Sequence, residues 1–279
     1  MNIKKLGRYA SPYKYWLIAL VVFPMVMMFF LTFFNTDALV FDSWAITLSH
    51  WTRLWLDSTV RVALLNSFQY AGLATIIAFI LGYPTAYILA RSPFSNKLVI
   101  LVLTIIPMWS NSLLRSNALA NLLSEQSIVN DILSNFGMSF IWNIKGSGLA
   151  ITIGLVLTYL PFMILPIYTV LDKMDSSLVE ASMDLGANPA RTFLRVTFPM
   201  SLKGVTTGVI MVFLPSFSGF AIPKILGSGR VMFIGTLIDS SFINRNYNFG
   251  SLLSLIIIII IFGSMFLVNQ VDKEGETLI

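Results

Sequence analysis

The chain has 279 residues, 56% of them hydrophobic and only 11% charged, with a mean hydropathy of +0.81 and a formal net charge of +5. Soluble domains carry roughly a quarter charged residues, so this composition excludes a soluble enzyme and places the chain in a bilayer. With no cysteine and one histidine, His50, disulfides, thiolate metal sites, cysteine catalysis and histidine metal clusters are excluded too, while redox compartment is left open.

A helix crossing the hydrocarbon core needs ~20 mostly apolar residues. Six segments qualify, at about 15–34, 66–90, 98–115, 148–171, 204–222 and 250–269. Lipid leaves no backbone polar group unpaired, so all six are read as helices. The first has an apolar run longer than the roughly 7–15 residues of a secretory leader and no small-x-small cleavage site, so it is expected to stay as a span. Lys4, Lys5, Arg8 and Lys14 precede it. Counting alternate sides puts 11 of the 18 Lys and Arg residues with the N-terminus and 7 opposite, which predicts that both termini are cytoplasmic.

The predicted outer loops are long. Residues 35–61 carry Trp44, Trp51 and Trp55, suited to an interfacial belt, and His50, read here as a wet loop residue. In 116–147, Leu119, Leu122, Leu123, Ile128, Val129, Ile132, Leu133 and Phe136 recur at helical spacing, which predicts one or two short amphipathic helices. The stretch 223–249 contains an apolar run too short to span. It is either a helix dipping back into the protein or a half-buried surface helix.

Prolines interrupt the second to fifth spans: Pro84, Pro107, Pro161 with Pro166, and Pro215. Each removes a backbone donor, and a packing kink explains any one of them. The third span is also polar: Trp109, Ser110, Asn111, Ser112, Arg115, Ser116 and Asn117 follow Pro107 closely. Such side chains are costly against lipid, so this face is expected to meet protein or water. Arg115 either joins it or snorkels to the outer surface. Tyr159, Phe162, Ser216, Phe217, Ser218 and Phe220 are candidates for the same cavity. The chain has no G-x-x-x-x-G-K-[ST], H-E-x-x-H or G-x-S-x-G and no paired catalytic carboxylates, so no enzymatic role is expected and any ATP must be handled by another chain.

Between the fourth and fifth spans lies a polar island, 174–201. Ser177 and Glu180 have capping-box spacing, Gly186 is suited to closing the helix, and Asn188-Pro189 restarts it. Pro199 is expected to end the second helix. Small Ala181 and Ser182 would admit a partner backbone, Leu185 and Phe193 offer apolar anchors, and Arg191 and Arg195 can meet an acidic rim.

Glu180-Ala181-Ser182, three residues, Gly186, nine residues, Val196, one residue and Phe198-Pro199 together resemble the EAA signature (E-A-A, x3, G, x9, I-x-L-P) of importer-type ABC transporter permeases. Ser182, Val196 and Phe198 are the departures. Residues 82–91, 105–119, 159–187 and 242–250 further resemble the first permease of spermidine/putrescine importers.

The resemblance implies an all-α type I importer permease spanning 1–279, multi-pass in a bacterial cytoplasmic membrane, with 172–203 as the loop coupled to an ATPase. It implies a second homologous permease, an ATPase dimer holding ATP and Mg, an external binding protein and a polyamine substrate, with no cofactor on this chain and no nucleic acid. Related permeases carry sulfate, iron, thiamine or other solutes. On the sequence alone, Trp109, Ser110, Asn111, Tyr159, Phe162 and Asp239 are candidates to meet an ammonium substrate, the rings by cation–π contact. An ion-coupled secondary carrier would require an inverted repeat with intramembrane acids. Here the acids lie in loops or near span ends.

Overall fold

The computed structural model describes residues 11–35, 45–92, 96–136 and 143–271. The readings placed on Lys4, Lys5, Arg8 and Trp44 lie outside these. Among the described residues the fold is helical apart from one β-bridge, Phe34 to Ile46. In chain order the helices are α1 (Ser11–Leu31), α2 (Ser49–Leu56), α3 (Ser58–Arg91), α4 (Lys97–Ile105), a 3-10 turn (Ile106–Trp109), α5 (Ser112–Leu122), α6 (Ile128–Asn135) and α7 (Gly148–Asp172). There follow α8 (Ser176–Asp184), α9 (Pro189–Thr192), a π turn (Phe193–Thr197), α10 (Phe198–Ser218), α11 (Ala221–Leu226), α12 (Ile234–Ile243) and α13 (Tyr247–Val271).

Four stretches are long and apolar enough to cross a bilayer: Ser58–Arg91, Gly148–Lys173, Pro189–Ser218 and Tyr247–Phe266. The third predicted span is not one straight helix. Its two halves, Val99–Trp109 and Ser112–Leu122, meet at 90°. Two causes coincide there: Pro107 removes a ladder donor, and Asn111 accepts from the Leu113 N–H at 2.8 Å, starting a new helix. Tyr15–Leu31, within the first predicted span, is apolar but shorter than the four. The second span starts earlier than expected, at Ser58. The fifth runs from Pro189 to Ser218, because Pro199 does not end its helix. In the π turn the Phe198 N–H reaches back to the Phe193 carbonyl, so the ladder is rerouted one residue before the proline's missing donor.

The described chain divides into two compact units. In the larger, residues 62–236 and beyond 261, α7 and α10 lie side by side. A Cβ added at Gly204 would fall 2.7 Å from the Pro166 carbonyl oxygen, and one at Gly208 2.8 Å from Met163 Sδ. At Gly204 the neighbour is backbone, so only glycine permits that approach. One apolar core joins Ile151, Leu155, Ile222, Leu226 and Phe233; another joins Tyr83, Met163, Ile167, Leu171 and Val212. The Lys97 ammonium ties three helix ends together, 2.7 Å from the Ala90 carbonyl and 3.6 Å from the Asp172 carboxylate.

The smaller unit comprises the chain up to Arg61 and residues 237–261. Its core includes Phe249, Leu252 and Leu253. His50 is not a wet loop residue: it is buried, with Nε2 3.1 Å from the Phe34 carbonyl, because α2 folds back over the Phe34–Ile46 bridge. Arg53 lies 4.3 Å above the Phe249 ring. The run after Gly229 forms α12, whose first residue Ile234 is fully buried next to Phe233. Residues 128–135 form the expected short amphipathic helix, with Ser127 as its N-cap.

Candidate functional site

The polar island folds as a capped helix pair, but its cap lies two residues earlier than the capping-box spacing suggests. Asp175, not Ser177, is the N-cap of α8, accepting from the Ser177 N–H at 2.9 Å. That bond holds the Asp175 carboxyl below its usual range. A carboxylate outcompetes a hydroxyl here because it also meets the helix's partial positive end. Glu180 therefore sits in the second turn, exposed.

At the other end the Gly186 N–H bonds the Met183 carbonyl at 2.9 Å and the Ala187 N–H bonds the Ser182 carbonyl at 3.2 Å. This is a Schellman closure, and Gly186 adopts φ +85° to make it. Asn188 accepts from the Arg191 N–H at 2.8 Å and restarts the chain as α9.

The seven residues singled out around this turn, together with Pro199, divide by direction. Glu180, Ala181, Leu185, Gly186, Arg191 and Pro199 are exposed, and Leu185 at the turn is 90% exposed. Ser182 instead turns toward α9, its hydroxyl 3.1 Å from that of buried Thr192. Phe193, read as an outward anchor, packs inward. Its ring stands edge-on to Tyr83 at 5.7 Å and to Tyr87 at 5.6 Å. The sequence showed two apolar residues in a polar stretch, and only the tertiary contact separates them. The tip thus exposes one large apolar group at its turn, Leu185, with Met183 and Leu178 about half exposed on α8 and Arg191 exposed on the next helix.

The second candidate region surrounds the 90° break. Arg115 does not snorkel. Its Nη1 donates to the Pro107 carbonyl and lies 3.4 Å from Ser110 Oγ, so a guanidinium bridges the two arms of the bend. Ser110 Oγ itself donates to the Pro107 carbonyl at 2.7 Å. Two adjoining cavities open beside the bend and share Thr158. One, of 200 Å³, is lined by Arg115, Ser116 and Gly154 among others; the other, of 150 Å³, by Ser112, Tyr159, Gly219 and Phe220.

The fifth span's helix stops at this second cavity: Gly219 is extended, and α11 begins after Phe220. Tyr159 and Phe162 lie 6.2 Å apart between ring centroids, with Phe162 36% exposed. Trp109 is 83% exposed and does not line either cavity, and Ser110 is also exposed. Asn111 is engaged as a helix cap. Asp239 belongs to the other compact unit. Of the six pathway candidates, Tyr159 and Phe162 are therefore the pair that meet. Thr158 and Gly219 were missed by sequence reading, although a glycine four residues after Pro215 was an available signal.

Residues 82–273 match the family described as binding-protein-dependent transport system inner membrane component. The spermidine/putrescine transport system permease protein PotB of Haemophilus influenzae is 34% identical over 260 residues, covering 92% of this chain and 91% of that protein. Its namesake in Escherichia coli is 36% identical over 255 residues, covering 91% and 92%. In three dimensions the chain is similar to a chain of a bacterial alginate ABC transporter in complex with an alginate pentasaccharide-bound periplasmic protein. There the TM-score is 0.77 at 14% identity, covering 96% of this chain and 94% of the other.

Proposed function

The chain belongs to the binding-protein-dependent transport system inner membrane components, and from that premise we propose that it is one permease of an ATP-driven polyamine importer. It is a non-catalytic, multi-pass protein of the cytoplasmic membrane. The observation that carries the substrate is end-to-end likeness, over nine-tenths of both chains, to permeases named for spermidine and putrescine.

In this reading six spans cross the membrane with both termini inside, α1 being the first and the α4–α5 pair the bent third. The tip at 176–192 is then cytoplasmic. Leu185 enters a groove of a separate ATPase, and Arg191 meets its acidic rim. The chain pairs with a second homologous permease over an ATPase dimer, and an external binding protein delivers the solute. It binds no cofactor itself, since ATP and Mg stay on the ATPase. Pro189–Ser218 runs as one helical stretch from the tip, so displacement of the tip reaches Gly219 and the cavity at Tyr159. Opening and closing there alternates access between the two sides. Tyr159 and Phe162 offer ring faces to the ammonium groups.

The test is reconstitution of the assembled transporter with its binding protein in liposomes. Spermidine or putrescine should stimulate ATP hydrolysis, and sulfate and thiamine should not. Stimulation by sulfate or thiamine alone would overturn the polyamine assignment.

A further inference from the structure

Where the π turn meets α3, the contact is built differently from the rest of the α3 surface. Tyr83 is 5% exposed, and its hydroxyl oxygen lies 2.8 Å from Ser201 Oγ. Ser201 Oγ in turn donates to the Phe198 carbonyl at 2.8 Å. The serine proton is thereby committed, so the tyrosine O–H is the donor between the two helices. Around this bond, Tyr83 and Tyr87, one turn apart on α3, hold Phe193 between them edge-on, at 90° and 89°. The Phe198 ring closes on Tyr83 at 5.7 Å. Perpendicular rings at these distances are the favoured aromatic geometry.

The contact also joins the softest point of each helix. Pro84, next to Tyr83, deprives α3 of one ladder donor. Phe193 opens the π turn whose ladder is rerouted ahead of Pro199. Between these two points lies an almost wholly apolar pocket of 260 Å³, lined by Phe79, Ile80, Tyr83, Phe193, Leu194 and Phe198. A push arriving from the 176–192 tip meets the π turn first. Left unsupported, that turn would bend and absorb the displacement. A directional hydrogen bond and two edge-on rings make the junction stiff where the backbone is weak, and the pocket leaves room for the rings to settle into a second arrangement.

We propose that Tyr83 is the positioning residue that transmits movement of the coupling tip to α3, through its hydrogen bond to Ser201 and its grip on Phe193. This rests on the reading of 176–192 as the ATPase-docking tip. Tyr83 touches no substrate in this scheme. Its role is to make the tip, the fifth span and α3 move together.

The test uses the complete transporter in liposomes, with labelled spermidine uptake and ATP hydrolysis measured together. Tyr83→Phe and Ser201→Ala each remove the Tyr83–Ser201 bond and keep the bulk around it, Ser201→Ala also losing the donation to the Phe198 carbonyl. Each should lower spermidine moved per ATP hydrolysed by roughly 2- to 10-fold, the factor one neutral hydrogen bond supplies, while the ATPase still co-purifies. The double variant should be no worse than Ser201→Ala alone. An unchanged ratio in both single variants overturns the proposal, as does a loss of assembled transporter with the ratio intact, which would mark a packing role only.

A second readout is independent of the solute. The chain has no native cysteine, so Ser176→Cys and Leu65→Cys carry spin labels on α8 and at the far end of α3. The distance between them should change with ATP in the otherwise unaltered chain and change less in Tyr83→Phe. An equal change in both overturns the proposal. A transporter that hydrolyses ATP but moves no spermidine overturns the polyamine reading instead, and the label distances then decide the role of Tyr83.

Discussion

At Gly186 the chain takes φ +85°, and a Cβ placed there would meet nothing within 4 Å. The requirement for glycine is therefore conformational and not steric. An L side chain in the left-handed region costs about 1 kcal/mol or more. Gly186→Ala should thus loosen the α8 closure, raising amide exchange across 176–192 by about fivefold, with Gly186→Asn milder because asparagine tolerates that region. Exchange unchanged in Gly186→Ala would show that the turn does not depend on the glycine. The sequence carried this much of the tip plainly, since a glycine followed by Asn-Pro is local chemistry read within a few residues. It did not carry the direction of Ser182 and Phe193. Which way a side chain faces on a short helix is decided by what packs behind it, here Thr192 for one and Tyr83 with Tyr87 for the other.

Among the elements, the broken third span differs most from a hydropathy reading. An average over 18 or more residues registers how apolar a stretch is and is blind to a change of direction. Proline alone is no guide: Pro24, Pro84, Pro161, Pro166 and Pro215 all sit inside helices. What sets Pro107 apart is Asn111 just beyond it, a cap that starts a second helix.

The density of polar side chains there was also a weaker sign of a wet cavity than it looked. Ser116 donates to the Ser112 carbonyl at 2.8 Å and Asn117 to the Leu113 carbonyl at 2.9 Å. Much of the polarity is satisfied within the helix that carries it. Arg115 is the exception, because its bond crosses the bend. Arg115→Ala should lower the stability of the detergent-purified chain by about 1 kcal/mol, a charge-assisted bond discounted for partial exposure. Arg115→Lys should recover part of it. A melting midpoint unmoved by Arg115→Ala would mean the bend is held by Pro107 and Asn111 alone.

For the whole molecule, family membership and the geometry of 174–201 converge on one division of labour. The chain contains no P-loop, and the longest stretch leaving the tip, Pro189–Ser218, leads to the cavity at Gly219. The all-helical class, four of the apolar crossings and the EAA-like spacing were legible because each is written in periodicity or short spacing. The two compact units and the junction at Tyr83 were not, because they depend on residues more than 100 positions apart, such as Tyr83 and Ser201. The central claim is that energy enters from a separate ATPase at the exposed tip centred on Leu185. Leu185→Glu tests it most directly, because the residue is 90% exposed and its replacement leaves the fold of α8 intact. Measured as ATPase co-purified per permease at unchanged membrane abundance, the variant should lose its ATPase, and with it ATP-driven spermidine uptake. ATPase retained in full amount, with uptake undiminished, would contradict docking at this tip.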